Sequence, residues 1–174
     1  MFDTVLGLPV HILVIHIVVV IGPLAALLAI GYAARPAWRL ALRWPLVAAA
    51  IATGVFGFIA GESGEALERR VKVTRAGDSA ALALVHDHTQ AGDLTKAVCM
   101  AFMILVLIAV FVLLPARGAP RGGAVLGLVT AVVLSAAAVG TIASITITGH
   151  SGVTAAWAAQ VTGPAPAGGD DHGG

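Results

Sequence analysis

What this chain lacks first is charge. Asp, Glu, Lys and Arg make up 11% of its 174 residues, against about 25% in ordinary soluble domains. The 59% that are hydrophobic, with a mean hydropathy of +0.97, point to a bilayer as the natural solvent. A basic patch is also missing: the net charge is only +1, which excludes an electrostatic nucleic-acid partner. Cysteine pairs are missing too. Cys99 stands alone in an apolar run, so no disulfide framework or cysteine-based metal knuckle is available, and it reads as a small packing residue. No Lys or Arg precedes Arg35. A cleaved signal peptide needs a basic start and an apolar core of roughly 7–15 residues. "MFDTVLGLP" carries Asp3 instead, and the apolar stretch runs to Ala34, so a retained span is expected. GxSxG, HExxH and Gly-rich phosphate-loop signatures are absent, as are the inverted repeats and broken helices of carriers. Catalysis is left open, and the balance leans to a non-enzymatic redox component.

What the chain does have is apolar length. A helix needs about 20 residues to cross the hydrocarbon core, and runs near that length cover residues 8–34, 45–61, 94–116 and 123–149. Only a helix satisfies its own backbone in lipid at this length. The expected fold class is all-α, an integral-membrane four-helix up-down bundle. Pro45 suits the first position of the second helix, and Pro23 is placed to kink the first. "GESGEALERRVKV" continues the second helix, with Glu65 and Arg69 at the favourable i, i+4 spacing. Asp78 or Ser79 can cap a helix that merges with the third span. Helices 2 and 3 therefore extend outside the bilayer as a hairpin turning near "RAGD". The fourth span is rich in Gly, Ala, Ser and Thr, which predicts a central place in the bundle. Residues 1–157 form the membrane domain, and 158–174 a disordered Pro/Gly-rich tail.

Basic residues set orientation. Arg35, Arg39 and Arg43 lie between spans one and two, and Arg117 and Arg121 between three and four, in both cases without an acid. Arg69, Arg70, Lys72, Arg75 and Lys96 are mixed with Glu and Asp. Loops one and three are expected in the cytoplasm and both termini outside, in a cell inner (plasma) membrane.

In that topology the polar groups gather on one side. "HILVIHIVVV", residues 11–20, brings His11 and His16 at the start of the first helix. Glu62 and Glu65 end the second span, His86 and His88 precede the third, and His150 closes the fourth. Ionisable groups at such depth usually face a bundle interior or a partner. Five residues of helix turn about 500°, so His11 and His16 point roughly 140° apart and cannot easily share one small ion. His88 shares a face with Gly92, Thr95 and Cys99 and is favoured over His86 as the inward group. Gly149 and Gly152 flank His150 and would let the helix end and turn there. Each histidine also has a bland reading as an interfacial or solvated residue, and His172 belongs to the tail. Glu62 and Glu65 can equally pair with Arg69 or Arg70.

Together "HILVIH", "GESGE", "HDH" and "TGHSG" make an HxxxxH, GExxE, HxH, GHxG series that resembles a bacterial family of four-helix membrane proteins of unknown function. The resemblance runs over residues 8–157. Some relatives are joined to Rieske-type iron–sulfur domains, which implies a histidine-lined redox or metal site at His11, His16, Glu62, Glu65, His86, His88 and His150. Ile12 and Ile17 stand where that family has proline and an aromatic residue, and "TAAWAAQV" replaces its tyrosine-bearing ending.

Three readings follow. The first is a b-type haem held by two imidazoles, one from His11 or His16 and one from His88 or His150, serving electron transfer at the extracytoplasmic face. The second is a non-haem iron, copper or zinc site with three or more histidines plus Glu62 or Glu65. The third is a cofactor-free accessory subunit. Expected partners are membrane lipid and a redox protein or respiratory complex, with self-association left open.

Overall fold

The computed structural model describes residues 4–5, 8–74 and 76–162, with side chains over 9–74 and 76–157. Four helices dominate: α1 (Val10–Ala34), α2 (Arg39–Thr74), α3 (Ser79–Ile108) and α4 (Gly123–Thr162). A two-residue ladder, Thr4–Val5 against Leu8–Pro9, precedes α1. All four helices are long and apolar enough to cross a membrane. Each packs against two neighbours in the cyclic order α1, α2, α3, α4. The fold is an all-α four-helix bundle.

Two features differ from expectation at helix boundaries. α2 starts at Arg39, with Pro45 inside it. The break falls instead at Arg35, which is extended, and at the short 3₁₀ turn Pro36–Trp38. Pro36 takes the first-turn position expected of Pro45, and α1 runs unbroken through Pro23. At the other end, α4 does not stop at Gly149 but continues through Gly152 to Thr162. A glycine inside a helix costs only about 1 kcal/mol relative to alanine, and stopping at the bilayer edge would orphan carbonyls that the next turns satisfy. Among the described residues the positive-φ glycines are Gly118 and Gly122, in the α3–α4 connection, and Gly123, which opens α4. The tail assigned to 158–174 lies outside the described residues from 163 onward, as does His172.

The α2–α3 hairpin forms as expected. α2 runs to Thr74, a turn covers Ala76 and Gly77, and the Asp78 carboxylate accepts from the Ala81 amide at 2.9 Å, capping α3. α4 is not more central than the rest. A ring of four has no centre helix, and α2 has the larger buried share of its span, 39% against 28% for α4.

The core is uneven along the bundle axis. Around the α1–α2 and α3–α4 connections it is thick, with Tyr32, Leu46, Phe102, Val106, Val110, Leu114 and Leu134 packed among alanines. Toward the α2–α3 hairpin it thins to Val14, Val18, Cys99 and Ile145. There, helices touch through small residues: a Cβ on Gly57 would sit 2.9 Å from Cys99 Cβ, so the α2 and α3 backbones are near their closest approach.

Candidate functional site

Up-down order brings the start of α1, the outer part of α2, the start of α3 and the last turns of α4 to one end of the bundle. This histidine end divides the candidate residues into separate groups.

At its centre are His11 and His88. They come from α1 and α3, which are diagonal in the ring, and their imidazoles meet edge to face with centroids 6.1 Å apart. Both are half-buried. His11 Nδ1 lies 2.9 Å from the Ala60 carbonyl of α2. A carbonyl only accepts, so Nδ1 carries the proton, and in the neutral ring Nε2 keeps its lone pair. His88 Nδ1 lies 3.0 Å from Ser151 Oγ. The Ser151 hydroxyl donates to the Thr148 carbonyl at 2.9 Å, so it accepts from His88, and the same tautomer follows. Both imidazoles thus have Nδ1–H tied to neighbouring helices, and among the described residues no hydrogen bond runs to either Nε2. Glycine makes room for each ring: a Cβ on Gly64 would lie 3.1 Å from His11 Cε1, and one on Gly152 would lie 2.9 Å from His88 Cε1.

The two glutamates are engaged elsewhere. Lys96 Nζ, on α3, lies 3.1 Å from Glu62 Oε1, 3.1 Å from Glu65 Oε1 and 3.2 Å from Asp93 Oδ1. Its stem packs over Gly61, whose Cβ would fall 2.6 Å from Lys96 Cδ. One ammonium therefore holds three carboxylates, Glu62 and Glu65 among them. His86 is exposed on the hairpin. Its Nε2 accepts from Gln90 Nε2 at 3.0 Å, and its Nδ1 faces Glu68 Oε1 at 3.7 Å.

His16 and His150 join none of these groups. His16 is exposed and donates Nδ1–H to the Ile12 carbonyl of its own helix at 2.5 Å, so its polar atom finds a local partner on the outer face. His150 is exposed because α4 continues past it instead of turning inward. The seven residues grouped by sequence are thus not one cluster. Among the described residues no set of three or more His, Cys, Asp or Glu side chains is arranged to hold a metal ion; the paired unit is His11 with His88.

Below the pair, a polar seam joins α3 to α4. Thr148 Oγ1 donates to the Ala91 carbonyl at 3.0 Å, and Thr95 Oγ1 lies 2.7 Å from Thr148 Oγ1 and 3.2 Å from the Ser144 carbonyl. Bonds from side chain to a neighbouring helix's backbone hold helices together where lipid supplies no hydrophobic drive. Lys96, Ser151 and Thr148 are the participants that sequence reasoning left out. Lys96 had a signal, as the one charged residue in "LTKAVCMAFMILVL". Ser151 stands beside His150 in "GHSG" but serves His88.

A model for a family described as predicted membrane protein, DUF2231, matches residues 7–164. The chain belongs to the DUF2231 family. The match spans all four helices and the whole histidine end of this DUF2231 chain. No curated protein and no solved structure matches it.

Proposed function

We propose that this integral-membrane protein binds one transition-metal ion between His11 and His88 and serves as a redox component at the extracytoplasmic end of the bundle. The observation that carries the reading is the fixed tautomer: both Nδ1 atoms donate to the protein, as in second-shell support of metal-bound histidines, and both Nε2 lone pairs are left to ligate. With centroids 6.1 Å apart, turning the edge-to-face rings so that both Nε2 atoms point between them would place one ion at about 2.0–2.1 Å from a nitrogen of each. Two neutral imidazoles favour iron, copper or zinc, and the high place of copper in the affinity order makes it the best fit for so small a ligand set. Open coordination positions would then be available to water or an incoming group. Glu62 and Glu65 are outside this ligand set because Lys96 holds them. Haem b would use the same two imidazoles as axial ligands, and its Soret band distinguishes it from a single ion. The sidedness rests on the five arginines of the opposite end, which the positive-inside rule puts in the cytoplasm of a plasma-membrane protein.

The test is metal quantification with an absorption spectrum on detergent-purified protein after incubation with iron, copper or zinc. The expected result is near one ion per chain, lost in His11→Ala and in His88→Ala and kept in His16→Ala. A Soret band lost in the same two variants would replace the ion with haem b. Absence of both metal and Soret band from folded wild-type protein would remove the site. For sidedness, Gly77→Cys should react with an impermeant maleimide on intact cells, since Cys99 is buried and gives little background. No labelling of Gly77→Cys until the cells are lysed would reverse the orientation.

A further inference from the structure

The opposite end of the bundle carries five arginines, Arg35, Arg39, Arg43, Arg117 and Arg121, and no acid. Two of them bond to backbone carbonyls of the fold, Arg121 through Nη1 alone. Arg39, buried, donates Nε–H to the Tyr32 carbonyl in the last turn of α1 at 3.2 Å. Arg121 donates from Nη1 to the Phe111 and Val112 carbonyls at 3.3 and 3.5 Å, in the π-helical turn Ala109–Leu113 that ends α3. Cations at these ends also meet the negative pole of the helix dipoles.

Arg43 has no such bond among the described residues. Its guanidinium lies 5.0 Å from the centroids of both Trp44 and Phe111. Its Nε is shielded from solvent and has no hydrogen-bond partner among the described residues. A buried donor without an acceptor is costly, and the Nη groups of the same guanidinium, with no hydrogen bond among the described residues, offer the planar fork that matches phosphate oxygens. The π-helical turn, an irregularity often found at functional sites, presents Phe111 to Arg43 and Trp44 and places Arg121 beside them. Trp44 is exposed on the bundle surface, as expected of an aromatic at headgroup depth.

We propose that Arg43, Arg121, Trp44 and Phe111 form a binding site for the phosphate headgroup of an anionic phospholipid. The rings supply a platform at the hydrocarbon edge, and the two guanidinium groups face the phosphodiester. The uncompensated positive charge of this end selects anionic over zwitterionic lipid, and basic pockets between membrane helices bind anionic headgroups in this way.

The experiment is native mass spectrometry of the full chain in neutral detergent with equimolar phosphatidylglycerol and phosphatidylcholine of matched acyl chains. Phosphatidylglycerol adducts should dominate. Each arginine near such a surface is worth about fivefold in affinity, so Arg43→Gln should reduce the preference by about that factor and Arg121→Gln comparably. Lys72→Gln, which removes the same charge from the opposite end, should leave it unchanged. Should Arg43→Gln fail to fold, Arg121→Gln carries the test alone. Equal retention of the two lipids by wild type, or an unaltered preference in the folded arginine variants, overturns the proposal. So does loss of the preference in millimolar inorganic phosphate, which would identify a site for the free anion.

Discussion

The two ends of the bundle are both closed across the α1–α3 diagonal, but by different chemistry. At the arginine end the Tyr32 hydroxyl donates to the Leu114 carbonyl at 2.6 Å, under a thick apolar core that buries the ring completely. That contact is saturated: a hydroxyl has met a carbonyl, and nothing is left to react. At the histidine end the diagonal contact is His11 against His88 over a sparse core, with each ring's donor tied outward to Ala60 or Ser151 and no partner for either acceptor nitrogen among the described residues. The arginine end is closed by packing and one saturated bond, while the histidine end leaves its two imidazoles free for the proposed ligand role.

The contrast predicts that the same kind of lesion has opposite consequences at the two ends. Tyr32→Ala should have the largest effect on stability, on the order of 3 kcal/mol, because it empties a fully packed site. Unfolding in mixed micelles titrated with SDS reads this directly. Tyr32→Phe keeps the packing and loses only the hydroxyl, which costs about 1 kcal/mol. Ser151→Ala should barely alter that unfolding curve, yet it frees His88 Nδ1 and, if the proposed site holds, should lower metal affinity about tenfold, the lower end of second-shell effects. Competition with a chelator measures it, with His150→Ala, which removes an exposed ring, as the neutral comparison. If Ser151→Ala destabilised the bundle as much as Tyr32→Ala, the functional distinction between the ends would be lost.

How much of this is legible in the sequence differs by level. The bundle, the projecting hairpin and the segregation of arginine from acid are carried by apolar run length and charge position, which need no knowledge of which way a side chain points. The Asp78 cap is also local and readable. Rotational register is another matter. In a soluble helix the polar face marks the outside, but lipid is as apolar as the core. "HILVIHIVVV" is therefore hydrophobic all round, and nothing in it says that His11 turns inward and His16 outward. The capture of Glu62 and Glu65 by Lys96 is hidden for a related reason: the partners are 34 and 31 residues apart, whereas Arg69 and Arg70 are nearer in the chain. Pro45 misleads about the start of α2 because a proline is compatible with a first turn and also tolerated within a membrane helix.

Smaller effects sharpen the comparison within the histidine end. Thr95→Val removes the hydroxyl that lies against Thr148 Oγ1 and the Ser144 carbonyl while keeping the side-chain shape. Interhelical hydrogen bonds in membrane proteins average about 0.6 kcal/mol, so a loss of that size is expected in the SDS titration. A loss several times larger would mean that the α3–α4 seam, not the arginine-end core, sets the stability of the bundle.

The smallest effect belongs to Lys72, whose Nζ lies 3.0 Å from Glu68 Oε1 on the hairpin, an ion pair not aligned as a hydrogen bond. The lysine is about half exposed while Glu68 is mostly covered, so water screens one partner only. Exposed i, i+4 pairs contribute about 0.3–0.5 kcal/mol, and Lys72→Gln should cost no more than this. The small cost has a structural reason: His86 Nδ1 also faces Glu68 Oε1, at 3.7 Å, and stays beside the carboxylate when Lys72 is lost. The double variant Lys72→Gln, His86→Ala leaves Glu68 without either neighbour, and it should lose more than the two single changes added together. Additive losses would mean that the hairpin carboxylate has a third partner, and that charge on this end is held by more than the contacts described.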